Sequence, residues 1–351
     1  MSWDIALILG VDGLATGAVY LLAGLGLVLI FSVTRVVFVP FGDVAAFAAL
    51  SLAALEGGQR PATIGLVLTL AALALLAEVV ALARRGEWAR LPRAFFWWGL
   101  LPALPCLAAW ALAGRALPAI VQVLLAVVLV TPIVPLVARL ALQPIADAST
   151  LVLLLVSLAL HFLLSGLGLL FFGPEGTRTK PLADGSLTLP GGFPLSAQVM
   201  LMVGAAVVLS ALFFLLFERT VAGKALRATA VNRVGARLVG IRPARTAAMA
   251  YAAASLLAGL IGVLVAPVTT MYYDSGFIIG LKAFVAAIIG GLVSYPLTAI
   301  GALAVGVFES FASFFSGALK DAIVFSLLIP VLLLRSFLAH HDEDDAEELD
   351  S

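Results

Sequence analysis

What this sequence has little of narrows its chemistry first. It holds a single cysteine, Cys106, so no intramolecular disulfide can form, and the thiol sits in an apolar run where it reads as a packing residue. It holds three histidines, and two of them, His340 and His341, are adjacent near the C-terminus. His161 is then alone in apolar surroundings, too few ligands for a zinc-dependent intramembrane enzyme, and no His-Glu-x-x-His helix is present. No Gly-rich loop ends in Gly-Lys-Ser/Thr, so the chain is not expected to hydrolyse ATP itself. A pair of spanning aspartates, as a membrane aspartyl protease needs, is not evident. Charge is scarce: 11% of the 351 residues are Asp, Glu, Lys or Arg, and 63% are hydrophobic. A soluble domain is about a quarter charged and about half apolar. Lys+Arg and Asp+Glu both total 20, so net charge says nothing about partners, and no nucleic acid is expected among them.

What is there is long apolar runs. The composition predicts an all-α integral membrane protein, a polytopic helical bundle of about 9–11 segments embedded in a lipid bilayer. Candidate spans lie at 5–31, 36–55, 62–83, 95–113, 117–140, 149–172, 197–217, 246–267, 276–293, 297–317 and 321–338. The second and several later ones are short and interrupted by Gly or Pro, so half-helices or re-entrant segments are expected among them. The N-terminus lacks a basic region before its apolar run, so it is expected to be retained as the first span. Residues 1–340 read as one transmembrane domain with a cytoplasmic loop at 218–245. Residues 341–351 read as an acidic, disordered tail, with seven acidic residues from Asp342 to Asp350.

Orientation follows from Lys and Arg. With the 218–245 loop inside, 14 of the 20 basic residues fall inside, including Arg35, Arg84, Arg85, Arg90, Arg93 and Arg139. This sets the N-terminus outside and the C-terminus in the cytoplasm. The longest external loop is then about 173–196, in which "SLTLPGG" suits a short hairpin.

Charged residues within spans are costly and mostly face protein or water. Asp43, Glu78, His161, Asp274, Lys282 and Glu309 are the candidates. Asp43 follows Phe38, Pro40, Phe41 and Gly42, where Pro and Gly can break a helix. Asp43 and Lys282 read either as part of a translocation path or as paired or snorkelling groups; His161 reads as a polar packing contact. Gly13 and Gly17 form a GxxxG pair in the first span, and Gly290, Gly291, Gly301 and Gly306 crowd the C-terminal part, which suits close helix packing.

The segment "GKALRATAVNRVGARLVGIR" (223–242) carries Lys224, Arg227, Arg233, Arg237 and Arg242 and no acid. Leu226, Ala230, Val234 and Leu238 recur every fourth residue, which predicts one short helix with an apolar stripe, stopped at Gly240. A topology-setting loop would account for the charge alone.

These residues resemble the permease subunits of high-affinity branched-chain amino acid ABC importers. The pattern is Gly223, Ala225, Arg227, Ala228, Ala230, then Ala236, Leu238, Gly240 and Ile241. A longer match is "GLKAFVAAIIGGLVSYPLTAIGALAVGVFES", through Lys282, Phe284, Gly290, Gly291, Gly301, Gly306 and Glu309. A third is Asp12, Gly13, Leu14, Gly17, Tyr20 and Leu22. The resemblance implies that Gly223–Ile241, with Lys224, Arg233 and Arg237, couples to two cytoplasmic ATP-binding subunits. It implies a second homologous permease and an external solute-binding protein, and ATP and Mg on the partner subunits with no cofactor on this chain. It implies an inner-membrane importer of branched-chain or related amino acids, not an enzyme. The sequence departs from the family at 38–43, where phenylalanines replace the usual Asn and His, which leaves the substrate open. It also departs at about 84–116, where about two extra spans are expected. The alternatives are an ion- or proton-coupled secondary transporter using Asp43, Glu309 and Lys282, and a membrane enzyme using His161.

Overall fold

The computed structural model describes residues 3–189, 193–327, 329–331 and 333. Among the described residues, eight helices are long and apolar enough to cross a membrane: α1 (Trp3–Thr34), α3 (Thr63–Arg85), α4 (Trp88–Leu112), α5 (Ala119–Ile145), α6 (Thr150–Phe172), α7 (Ala197–Arg219), α10 (Pro243–Val265) and α12 (Tyr295–Phe315). Two apolar helices are shorter, α2 (Phe41–Glu56) and α11 (Gly276–Ile289). At 1.5 Å per residue they reach about 24 and 21 Å, less than the ~30 Å hydrocarbon core. They are the half-helices that the Pro and Gly interruptions foretold. Two short helices, α8 (Val221–Val231) and α9 (Arg233–Leu238), fill the basic loop, and α13 (Lys320–Ser326) follows α12. Strands β1 (Ser186–Leu189) and β2 (Phe193–Ser196) pair antiparallel between α6 and α7, with Ser186 opposite Ser196, the short hairpin that "SLTLPGG" suits.

The two half-helices meet at their N-termini. After α1 the chain turns at Arg35, which takes a left-handed conformation (φ 62°). It then runs back into the bundle through Val39, whose N–H donates to Ser157 Oγ at 2.9 Å. Pro40 fixes the start of α2. On the other side, Ser275 leads into α11. A Cβ at Gly42 would lie 2.6 Å from the Gly276 carbonyl carbon, and one at Gly276 would lie 2.7 Å from Asp43 N. Only glycine lets the two backbones touch here. The helices leave this junction in opposite directions. The end of α2 reaches the hairpin side, where Glu56 accepts from Lys180 N. The end of α11 reaches the basic-loop side, where Tyr295 meets Phe217 of α7 with ring centroids 5.6 Å apart.

Small residues bring the long helices together around the junction. Gly17 of α1 lies against Leu303 of α12, and Gly13 against Val307, so the expected GxxxG face is a helix contact. Gly301 packs on Ile289, Gly290 on Thr298, Gly306 on Gly17, and Gly259 of α10 on Val127 and Val130 of α5. Gly291 is different: it is left-handed (φ 69°) in the turn after α11, a backbone requirement rather than a packing one.

Three further expectations change. The 84–116 interval holds one span-length helix, α4, not two, because 33 residues cannot carry two crossings and a turn. Asp274 lies in an exposed turn two residues before Gly276 of the half-helix junction, outside any helix. The basic segment is two helices, not one: Asn232 takes an extended conformation, and its side chain accepts from Val234 N and Gly235 N as the N-cap of α9. Tail residues 341–351 lie outside the described residues, as does most of the last expected span beyond Ser326.

The junction predicts an asymmetric glycine response. Gly276→Ala forces backbone apart and is expected to lose roughly 1–3 kcal/mol or fail to fold. Gly204→Ala on α7, with nothing within 4 Å of its added methyl, is expected to be neutral. Thermal melts of the two detergent-solubilised variants check this.

Candidate functional site

Asp43 stands in the first turn of α2, where the helix dipole favours a carboxylate. It is fully buried, and its Oδ2 lies 2.7 Å from His161 Nδ1. His161 is half-way along α6, so the half-helix junction sits at the mid-depth of that span. The imidazole also stacks on Phe277 at 4.3 Å, the second residue of α11. One histidine thereby holds both half-helices, one by a hydrogen bond and one by its ring. Asp43 Oδ1 has no hydrogen-bond partner among the described residues. Phe38 and Phe41 are core residues: Phe38 packs edge-on to Tyr251 at 6.4 Å, and the Phe41 ring fills the space that Gly26 leaves. Phe284 is half-buried.

A second buried cluster joins α1, α11, α12 and α13. Lys282 Nζ sits between Glu309 Oε1 at 2.5 Å and Asp321 Oδ1 at 2.7 Å, and Tyr20 donates to Glu309 Oε2 at 2.6 Å. Lys282 is thus a paired residue. Glu78, another embedded acid, is bound by Arg139 of α5, whose Nε donates to it at 3.0 Å. Residue type alone marked Asp43, His161, Lys282 and Glu309. It did not mark their partners Phe277 and Asp321, because nothing in the sequence spacing places α11 beside α6 or α13.

The basic loop is a rigid platform. Gly223 lets α8 turn tightly against Phe217 at the end of α7. Leu226 packs with Leu29 and Val33 of α1 and Ala250 of α10. Thr246 of α10 donates to Thr229 of α8 at 3.1 Å. Gly240 (φ 83°) closes α9, with Ile241 N donating to Ala236 O and Gly240 N to Arg237 O, the paired bonds of a Schellman stop. Ala225, Ala228 and Ala230 are half-buried, Ala236 is buried, and Lys224 and Arg227 are exposed, with Arg227 bound to Glu218. The single stripe expected from every-fourth-residue spacing is split. Leu226 faces the bundle, whereas Val231 (85% exposed), Val234, Leu238 (84% exposed) and Val239 face out. Arg233 and Arg237 line a cleft behind α9 with Glu78 and Arg139.

Residues 10–332 match the model of a family described as the branched-chain amino acid transport system permease component. The chain belongs to this family. Its curated relatives include the high-affinity branched-chain amino acid transport system permease protein LivH of Salmonella typhimurium, 31% identical over 206 residues. LivH of Escherichia coli K12 is 30% identical over 206 residues, and the permease protein BraD of Pseudomonas aeruginosa is 29% identical over 214. In each case the match covers 56% of this chain and 66% of the relative, so it spans just under two thirds of their length. No solved structure matches. The described residues of this chain are helical and apolar, with eight helices long enough to span a bilayer.

The Lys282 cluster yields a prediction. Lys282→Met strands Glu309 in a buried setting and is expected to cost roughly 3–5 kcal/mol. Adding Glu309→Gln is expected to return part of that stability, because the uncompensated charge is gone. Melting temperatures of wild type, single and double variants measure it; a double variant no more stable than the single contradicts it.

Proposed function

We propose that the chain is the membrane-spanning permease subunit of an ATP-driven importer of branched-chain or related amino acids. The observation that carries this is the platform at 221–241. Val231, Val234, Leu238 and Val239 are exposed apolar residues, with Lys224 and Arg227 exposed earlier on α8, on helices clamped to the rest of the bundle. Exposed apolar patches with a polar rim mark partner surfaces, and this one lies on the basic, cytoplasmic side. Its partners are two ATP-binding subunits, which supply ATP and Mg chemistry that this chain has no loop to hold. A second permease completes the pathway, and a solute-binding protein docks on the hairpin side. The chain itself is no enzyme. The protein sits in the inner membrane with its N-terminus outside and its C-terminus in the cytoplasm.

The mechanism follows from connectivity. The platform is packed on α1, α7 and α10. α1 leads through residues 35–40 into half-helix α2, and α10 through residues 266–275 into half-helix α11. A displacement of α8–α9 by the closing of the ATP-binding pair therefore pulls on both half-helices at once. Their glycine contact at Gly42 and Gly276 is the point about which α1–α2 and α10–α11 rock. Binding energy of ATP is converted into a change of which side is open, as differential affinity for two states requires.

Val234→Asp with Leu238→Asp breaks the exposed face without touching the buried one. In reconstituted complexes it is expected to reduce ATP-driven uptake by tenfold or more, while membrane insertion and the melt of the chain stay near wild type. Uptake that survives ATP depletion and collapses with an uncoupler overturns the importer reading in favour of a secondary transporter.

A further inference from the structure

On the basic-loop side, the exposed face of α3 bears a shallow, open apolar groove along Leu73, Leu76 and Val80, which ends at Arg84 and Arg85. Ala81 and Arg85 also line the cleft behind α9, of about 680 Å3. The two are one continuous surface, apolar along the helix and basic at its end. The cleft holds four arginines, Arg85, Arg139, Arg233 and Arg237, against two carboxylates, Glu78 and Asp147. Arg139 is already paired with Glu78. The other three arginines face Asp147 alone, and the buried Nε of Arg233 has no hydrogen-bond partner. A buried guanidinium donor left open is costly, so a ligand with acceptor oxygens suits it. Trp98, on the neighbouring α4, lines the same cleft, with the Arg139 guanidinium 5.9 Å from its ring centroid.

The geometry points to an anionic phospholipid as the occupant. Its phosphate sits among Arg85, Arg233 and Arg237, and an acyl chain lies along Leu73, Leu76 and Val80 of α3. Basic pockets between helices at the cytoplasmic end are suited to such headgroups. A free phosphate or an amino-acid carboxylate would satisfy the arginines but not the groove, whereas a zwitterionic lipid would fill the groove but bring no net charge. Two of the three arginines belong to α9, the helix of the docking platform. A bound lipid therefore ties the platform to α3, the first of the two helices of the α3–α4 hairpin, and its occupancy regulates how firmly α9 is held for its partner. The binding site does not depend on the importer reading; the regulatory consequence and the choice of leaflet rest on it.

The test uses the full chain in detergent, with no ATP and no partner, so its result is independent of transport. Dioleoyl-phosphatidylglycerol is expected to raise the melting temperature by about 5 °C or more, while dioleoyl-phosphatidylcholine, inorganic phosphate and leucine do not. Arg233→Gln with Arg237→Gln is expected to lose that shift, and Arg90→Gln with Arg93→Gln, on exposed arginines outside the cleft, to keep it. Should the cleft variant fail to fold, native mass spectrometry of the wild-type chain reads retention of phosphatidylglycerol over phosphatidylcholine directly. An equal shift with phosphatidylcholine, phosphate or leucine, no shift at all, a shift that survives the cleft variant, or no preferential retention overturns the proposal. If lipid binding holds while ATP-driven uptake fails, the site stands and the importer reading falls.

Discussion

The contact of two helix N-termini inside the bundle sets the terms for the rest of this structure. α2 and α11 are too short to cross a bilayer, so each must leave its first-turn N–H groups at mid-depth, away from water. Bare backbone there is tolerated only where protein encloses it. Gly42 and Gly276 bring the two ends together, and Asp43 brings a carboxylate to the positive end of α2. That carboxylate is itself costly at such depth, and His161 faces it from the centre of α6 while stacking on the start of α11. Each group thereby answers the problem that the previous one raises.

The same logic governs the remaining embedded charges. Lys282, Glu309, Asp321 and Tyr20 form one ion-paired cluster, and Glu78 and Arg139 another. These networks bind helices that are distant in sequence: α1 to α12, α11 to α13, and α3 to α5. Lipid offers no hydrophobic drive between helices, so glycine-mediated packing and a few buried polar bonds hold the bundle together. The apolar surface left over is extensive on α4 and α7, which face outward.

The basic loop shows how a pattern can be right in content and wrong in geometry. Its fourfold spacing marked an amphipathic helix, yet Asn232 competes for the backbone and caps a second helix. The break rotates Val234 and Leu238 away from Leu226, so a buried anchor and an exposed face come from what read as one stripe. It also sets Arg233 and Arg237 along a cleft with α3 and α5.

Local sequence was enough for the class of the fold, the positions of most spans, the two short interrupted segments, the hairpin and the Gly240 stop. All of these are local: apolar length, Pro and Gly conformational limits, and turn chemistry act within a few residues. The motifs also carried the family, because they are runs of adjacent positions. Tertiary structure alone decided which charge meets which. Asp43 and His161 are 118 residues apart and Lys282 and Glu309 are 27 apart, and no periodicity links either pair. It alone decided that Gly42 and Gly276 touch and that Phe38 and Phe41 are core. In a chain so uniformly apolar, one greasy face is as good as another until small residues and buried charges choose the neighbours, and that choice is made across the whole bundle at once.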